Sequence, residues 1–202
     1  GLNDGGCVSL VVPDRRFTFD RFRRPTNAGD LIDAFLQRRE TATAGQVYDY
    51  IANAAVVDPV AVWKGENAAR VPTPGHTPEE ALRLARVRLA DGVAPDIHCS
   101  VFSAAEFLKV FREIIALDLL PYEVAAFEPT AFGEIEFFVT LRKSTAAPEV
   151  RAANVPDVAD IPVQGGAEGG SVPIEFMAPY WLKRLLPRPL KRFLKKHFLG
   201  RT

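Results

Sequence analysis

Hydrophobic residues in this chain come in short runs, and each run's spacing predicts an element. The first is Cys7-Val8-Ser9-Leu10-Val11-Val12, entered from Asn3-Asp4-Gly5-Gly6 and stopped by Pro13-Asp14. A brief apolar run punctuated at both ends predicts a buried parallel strand. Such a strand needs neighbours on its edges and helices on its faces. Only Gly1 and Leu2 precede its turn, so the expectation is a fragment of a larger α/β domain or pairing with a later strand. The first residue is not Met, which points to the fragment. Leu31, Ile32, Phe35 and Leu36 then recur at helical spacing and predict a helix from about Gly29 to Arg38. Val47, Tyr48, Ile51 and Ala55 predict another from Ala44 to Ala55.

Asp58 to Pro74 holds three prolines and a glycine and predicts irregular chain. Thr77-Pro78-Glu79-Glu80 has the form of a capping box with Pro at the first helical position, so a helix should run to about Ala90 and end at Asp91-Gly92. Asp96 to Phe102 reads as extended. Ser103-Ala104-Ala105-Glu106 is a second capping box, opening a helix to about Leu117 with Phe107, Val110, Phe111, Ile114 and Ile115 inward. Tyr122 to Phe127 and Glu134 to Arg142 predict an antiparallel hairpin, because Ile135, Phe137, Val139 and Leu141 alternate along its second strand. Lys143 to Pro173 has no period, is rich in Ala, Pro, Gly and Val, and reads as a flexible linker.

Composition changes this picture in one respect. The net charge is zero, but eight of the twenty-five Lys and Arg lie between Tyr180 and Thr202, beyond the last acidic residue, Glu175. The remainder is therefore acidic and the tail basic. In that tail Leu190, Phe193, Leu194 and Phe198 share one helical face, broken upstream by Pro187 and Pro189. Such a helix can lie on an anionic membrane surface through residues 180–199, or dock on protein. Its charge would attract nucleic acid, but no nucleic-acid motif accompanies it. No apolar run approaches the roughly 18 residues of a spanning helix. Two cysteines form no disulfide framework, and Cys7 reads as a structural thiol in a buried strand. Three scattered histidines give no metal spacing.

The candidate chemistry sits where strands end. Asp14, Arg15 and Arg16 follow the first strand, and ligands in open α/β folds gather at such carboxyl ends. Their guanidiniums could hold an anionic acceptor through paired hydrogen bonds, or simply close the loop by an Arg–Asp pair. Asp20, Arg21, Arg23 and Arg24 read as a solvated face between packed Phe17, Phe19 and Phe22. His98 suits a general base, because an imidazole can exchange a proton near neutral pH, and equally suits a structural role. His76 reads as a surface loop residue.

This order of elements resembles the C-terminal half of a class I S-adenosylmethionine-dependent methyltransferase. Leu2-Asn3-Asp4-Gly5-Gly6 before Cys7–Val12 is similar to the turn leading into that family's fifth strand, with Asp4 where Pro is usual. The string from Val12 to Arg24, with Asp96-Ile97-His98 and Glu136 to Arg142, resembles bacterial methyltransferase-domain proteins of cell-envelope and glycan biosynthesis. The resemblance covers about Leu2 to Lys143. It implies the Rossmann-like sheet's last strands, one buried and two forming an antiparallel hairpin, with flanking helices; in that order Cys7–Val12 should lie antiparallel beside Glu134–Arg142, with Tyr122–Phe127 on the far side of the latter. It also implies S-adenosylmethionine as cofactor, a small or glycan-like acceptor, His98 as base, and Asp14, Arg15 and Arg16 as acceptor contacts. The family's glycine-rich cofactor loop and ribose-binding acid have no place in this sequence. Gly165-Gly166 and Gly169-Gly170 follow no strand.

The expected organisation is thus a partial methyltransferase-like α/β domain at 1–143, a linker at 144–173 and a basic amphipathic tail at 174–202. Two functions follow. One is the substrate side of a methyltransferase in the cytoplasm, with peripheral contact at the inner membrane face through the tail. The other is a non-catalytic methyltransferase-like module that tethers a partner to a membrane.

Overall fold

The computed structural model describes residues 2–66, 70–93 and 95–159. The basic tail and the glycine pairs lie outside them. Within them the chain is mixed α/β, with a small antiparallel sheet and helices.

Strand β1 spans Cys7–Pro13, β4 Tyr122–Glu128 and β5 Glu136–Lys143, once helices α1 Ala28–Leu36, α2 Ala44–Asn53, α3 Pro59–Trp63, α4 Pro78–Asp91 and α5 Ala104–Ala116 and the short strands β2 Ala55–Val56 and β3 Val71–Pro72 are counted in chain order. The main sheet has the order β1-β5-β4, with both pairings antiparallel. That is the expected arrangement. Val8 faces Leu141, Leu10 faces Val139 and Val12 faces Phe137 across the first pair. The second pair shifts register between Val124 and Ala126.

Alternation along β5 builds the core. Phe137, Val139 and Leu141 are buried, and α5 covers them with Phe107, Leu108, Val110, Ile114 and Ile115. Phe107 stacks on Phe111 with centroids 3.9 Å apart and meets Phe137 edge-on at 5.4 Å. The Ser103–Glu106 capping box starts α5 as expected. Thr77 caps α4, and Gly92 ends it with a φ of 72°, a backbone that glycine adopts without strain.

Four expectations need correction. β1 is not a buried parallel strand. It pairs only with β5 among the described residues, and Cys7, Val8 and Val11 are exposed, so Cys7 is no buried structural thiol. The apolar run signals a strand that could be covered twice, whereas helices pack on one face alone, against Leu10 and Val12. Second, the irregular stretch Asp58–Pro74 contains α3, capped by Asp58, and β3, which pairs with β2. Third, Asp20 and Arg23 are buried rather than solvated. Fourth, the stretch read as linker begins with a helix, α6 Pro148–Ala153, packed on α5. Ala152 and Val155 join the core, and buried Arg151 donates to the Leu120 carbonyl at 2.6 Å and pairs with Asp118. Two or three apolar contacts suffice to seat such a short helix, too few to create a visible period.

Candidate functional site

The carboxyl end of β1 is stitched to two distant segments by backbone hydrogen bonds. Asp14 N–H donates to the Ile135 carbonyl at 2.7 Å, and Arg15 N–H to the Phe102 carbonyl at 2.8 Å. Thr26 N–H donates to the Val101 carbonyl, and Val101 N–H returns to Thr26 Oγ1, each at 3.0 Å. The segment around His98 therefore lies against the loop that follows β1.

Asp14 is fully buried and accepts four hydrogen bonds. Its Oδ1 accepts from Arg16 N–H at 3.0 Å and Arg16 Nε at 2.9 Å. Its Oδ2 accepts from Arg16 Nη2 at 2.6 Å and from Thr130 Oγ1 at 2.8 Å. Arg15 turns to the start of α5, where Nε and Nη2 grip the two oxygens of Glu106 at 2.8 and 2.7 Å. The three expected acceptor contacts, Asp14, Arg15 and Arg16, thus lie together at the end of β1, and all three enter internal ion pairs.

Glu106 is both the α5 capping residue and the Arg15 partner. Burial pushes its carboxyl up, but the bonds from Arg15 and Ser103 outweigh burial and hold it below its ordinary value. A depressed acid stabilises the fold above its unfolded value, about 4.3, and loses that contribution as pH falls through the folded one. Glu106→Gln is therefore expected to lower stability by about 1–2 kcal/mol at neutral pH. The gap should close in acid, where the native carboxyl is itself protonated. Urea unfolding across a pH series checks this, and a gap constant into strong acid would refute the ionic origin.

His98 belongs to a second cluster of charged side chains. Its Nδ1 is 2.7 Å from Asp20 Oδ2, and Asp20 Oδ1 accepts from Arg23 Nη1 at 2.7 Å. Arg23 Nε continues to Asp49 Oδ2 at 2.9 Å, and Asn53 Nδ2 donates to Asp49 Oδ1 at 2.9 Å. The His98 side chain is 41% exposed and that of Asp20 only 2%, so the pair has one wet and one dry end. A carboxylate only accepts, so Nδ1 is the donor in this bond, and it is the neutral form of the ring that would offer a lone pair on Nε2. Val12, Pro13, Ser100 and Val101 join His98 and Asp20 around a cavity of about 120 Å³. This arrangement can take a proton from a hydroxyl or amine and spread the resulting charge into a buried ion pair.

Rings extend from this pair in a line. Phe19 lies 4.9 Å from His98 and 5.9 Å from Tyr50, which lies 6.0 Å from His76. Burial, then the Asp20 carboxylate, hold the Tyr50 phenol above its ordinary value, with Arg23 opposing. Sequence reasoning missed Asp20, Tyr50 and His76 as neighbours of the site. The only local signal was the Asp20/Arg23 spacing, which carries no information about burial.

The glycine pair Gly5-Gly6 does not form a cofactor-binding loop. Gly5 has a φ of 77°, and a Cβ on Gly6 would meet the Asn3 carbonyl oxygen at 2.8 Å. Both glycines serve the turn into β1 rather than a loop between a strand and a helix. Nor do any three His, Cys, Asp or Glu residues among those described form a group able to hold a metal ion. No helix among them is long and apolar enough to cross a membrane. No family model, curated protein or solved structure matches the chain.

Proposed function

We propose that residues 2–143 are the substrate side of an S-adenosylmethionine-dependent methyltransferase acting on a small or glycan-like acceptor. The observation that carries this reading is the Asp20–His98 pair, a buried carboxylate under a half-exposed ring, held beside a cavity at the carboxyl end of β1. The antiparallel order β1-β5-β4 supports it, being the order the resemblance implies for the last strands of such a sheet.

In this reading His98 Nε2 takes the acceptor's proton. Asp20 fixes the ring's tautomer and orientation, and Arg23 balances the carboxylate's charge. Arg15 and Arg16, locked by Glu106 and Asp14, form the rigid rim along which the acceptor lies. An activated methyl donor demands little beyond alignment and proton removal. The donor would be held outside the described residues. The setting in this reading is cytoplasmic, with peripheral contact at the inner membrane face through residues 180–199.

Calorimetry tests the reading. Residues 1–202 alone should bind S-adenosylmethionine negligibly. If the reading frame encodes a cofactor-binding half ahead of Gly1, the protein carrying it should bind S-adenosylmethionine with micromolar affinity. His98→Gln in that protein should leave binding intact and abolish transfer of tritiated methyl groups to a small-molecule extract. Failure of the longer protein to bind would sink methyl transfer in favour of the tethering module, whose tail should bind anionic vesicles in a salt-sensitive way.

A further inference from the structure

Five arginines lie between Arg15 and Arg24, and four of them hold carboxylates. Arg15 grips Glu106, Arg16 grips Asp14, Arg23 lies between Asp20 and Asp49, and Arg24 pairs with Asp30 at 2.8 Å. Arg21 is the exception. Its Nη1 donates to the Arg16 carbonyl at 2.6 Å, and no carboxylate among the described residues pairs with it. Its Nε and Nη2 have no hydrogen-bond partner among those residues, and neither is a buried orphan, so that edge of the guanidinium opens to solvent.

The shape of this edge selects a ligand. Nε–H and Nη2–H point the same way and match two oxygens of one acid group. Arg15 uses the same edge on Glu106, at 2.8 and 2.7 Å, and Arg16 uses it on Asp14, at 2.9 and 2.6 Å. The third copy of the edge is held in place as well. Arg21 N–H donates to the Thr18 carbonyl at 3.1 Å, and Arg15 Nη1 reaches the Arg21 carbonyl at 3.3 Å. Little freedom is then lost when a ligand binds. Burial, then the charges of Arg15 and Arg16, hold the half-buried Arg21 guanidinium below its ordinary value, although it stays protonated at neutral pH. An anion at the open edge relieves both effects, and a neutral hydroxyl compound relieves neither.

We propose that Arg21 binds the carboxylate or phosphate group of a small acidic ligand through its Nε–Nη2 edge, with Arg15 and Arg16 as the struts that seat it. The sequence puts Arg15 and Arg16 forward as acceptor contacts, but their paired edges are taken by Glu106 and Asp14. The outward grip therefore falls to Arg21, a residue that reads in the sequence as part of a solvated face. The ligand's role as the methyl acceptor rests on the function proposed above, and would make that acceptor a sugar acid or a phosphorylated compound. Its binding does not rest on that function.

Acetate and inorganic phosphate are the smallest probes of the two acid groups, and chloride at equal ionic strength controls for screening. Proton–nitrogen correlation spectra of the full chain, with the arginine Nε–H signals included, serve as readout. Acetate and phosphate should each saturably shift the Arg21 Nε–H and the amides of Arg16 and Phe22, and chloride should not. Arg21→Lys keeps the charge without the paired donors and should bind both oxyanions roughly tenfold more weakly. Arg21→Gln should lose the saturable shifts while the amide signals of β5 stay in place, which shows that the fold survives. A response to one oxyanion alone would support the site and name its acid group. Equal shifts with chloride would overturn the proposal, as would the absence of any saturable shift. Undiminished binding by Arg21→Lys would overturn it too, because charge alone would then suffice, and shifts that persist in Arg21→Gln would place the ion elsewhere. Oxyanion binding in a protein that ignores S-adenosylmethionine would leave this site standing and remove only its acceptor role.

Discussion

Replacing Asp20 with alanine is expected to lower the free energy of unfolding by about 3 kcal/mol. Asp20 joins the Arg23 guanidinium and the His98 ring, and both Asp20 and Arg23 side chains are 2% exposed. Removing the carboxylate leaves a buried cation whose remaining partner, Asp49, is 29% exposed. That partner prevents a larger loss. The neighbouring change His98→Gln should behave differently. The ring is much more exposed, so its loss should cost under about 1 kcal/mol. The contrast separates architecture from chemistry. If His98 is the base, His98→Gln should destroy transfer in a protein that unfolds almost normally. Urea unfolding of the two variants, with unchanged slopes, measures the difference. An Asp20→Ala loss below about 1 kcal/mol would show that the Arg23 pair contributes little.

The parts of this fold that could be read from the sequence are those set by neighbours in the chain. Ser103 with Glu106, Thr77 with Pro78, and Gly92 mark the helix ends because capping chemistry acts over three or four residues. Phe137, Val139 and Leu141 show their buried face because strand alternation is local as well. The site was half visible for the same reason. Asp14 to Arg16 and His98 could be placed at strand ends and in an extended segment. Their partners could not, since Asp20 meets His98 across 78 positions and Thr130 meets Asp14 across 116. Burial of a charged residue depends on such distant partners, so Asp20 and Arg23 resembled a solvated face until the chain was folded. β1 failed in the opposite sense. Its composition permits burial on both sides, but composition does not supply the layer that would cover Cys7 and Val11.

Asp14→Ala is expected to be the most damaging change at the end of β1, at about 3–5 kcal/mol. The carboxylate is 0% exposed and accepts from Arg16 three times and from Thr130 once. It also caps the short 3-10 turn Arg15–Phe17. Alanine removes the acceptor of the Thr130 hydroxyl, itself 1% exposed, and the carboxylate that pairs with the largely buried Arg16 guanidinium. The loss should therefore be cooperative. Arg16→Met fills similar volume without charge, and in the Asp14→Ala background it should recover part of the stability. A double-mutant cycle should give a coupling of about 2 kcal/mol. Additive effects would mean that Arg16 is held by something other than this carboxylate, leaving it available to reach outward to an acceptor. Strong coupling instead makes Arg16 a fixed strut. Acceptor contact at this end of the strand would then be made through a guanidinium already oriented by Asp14, as a preorganised rim requires.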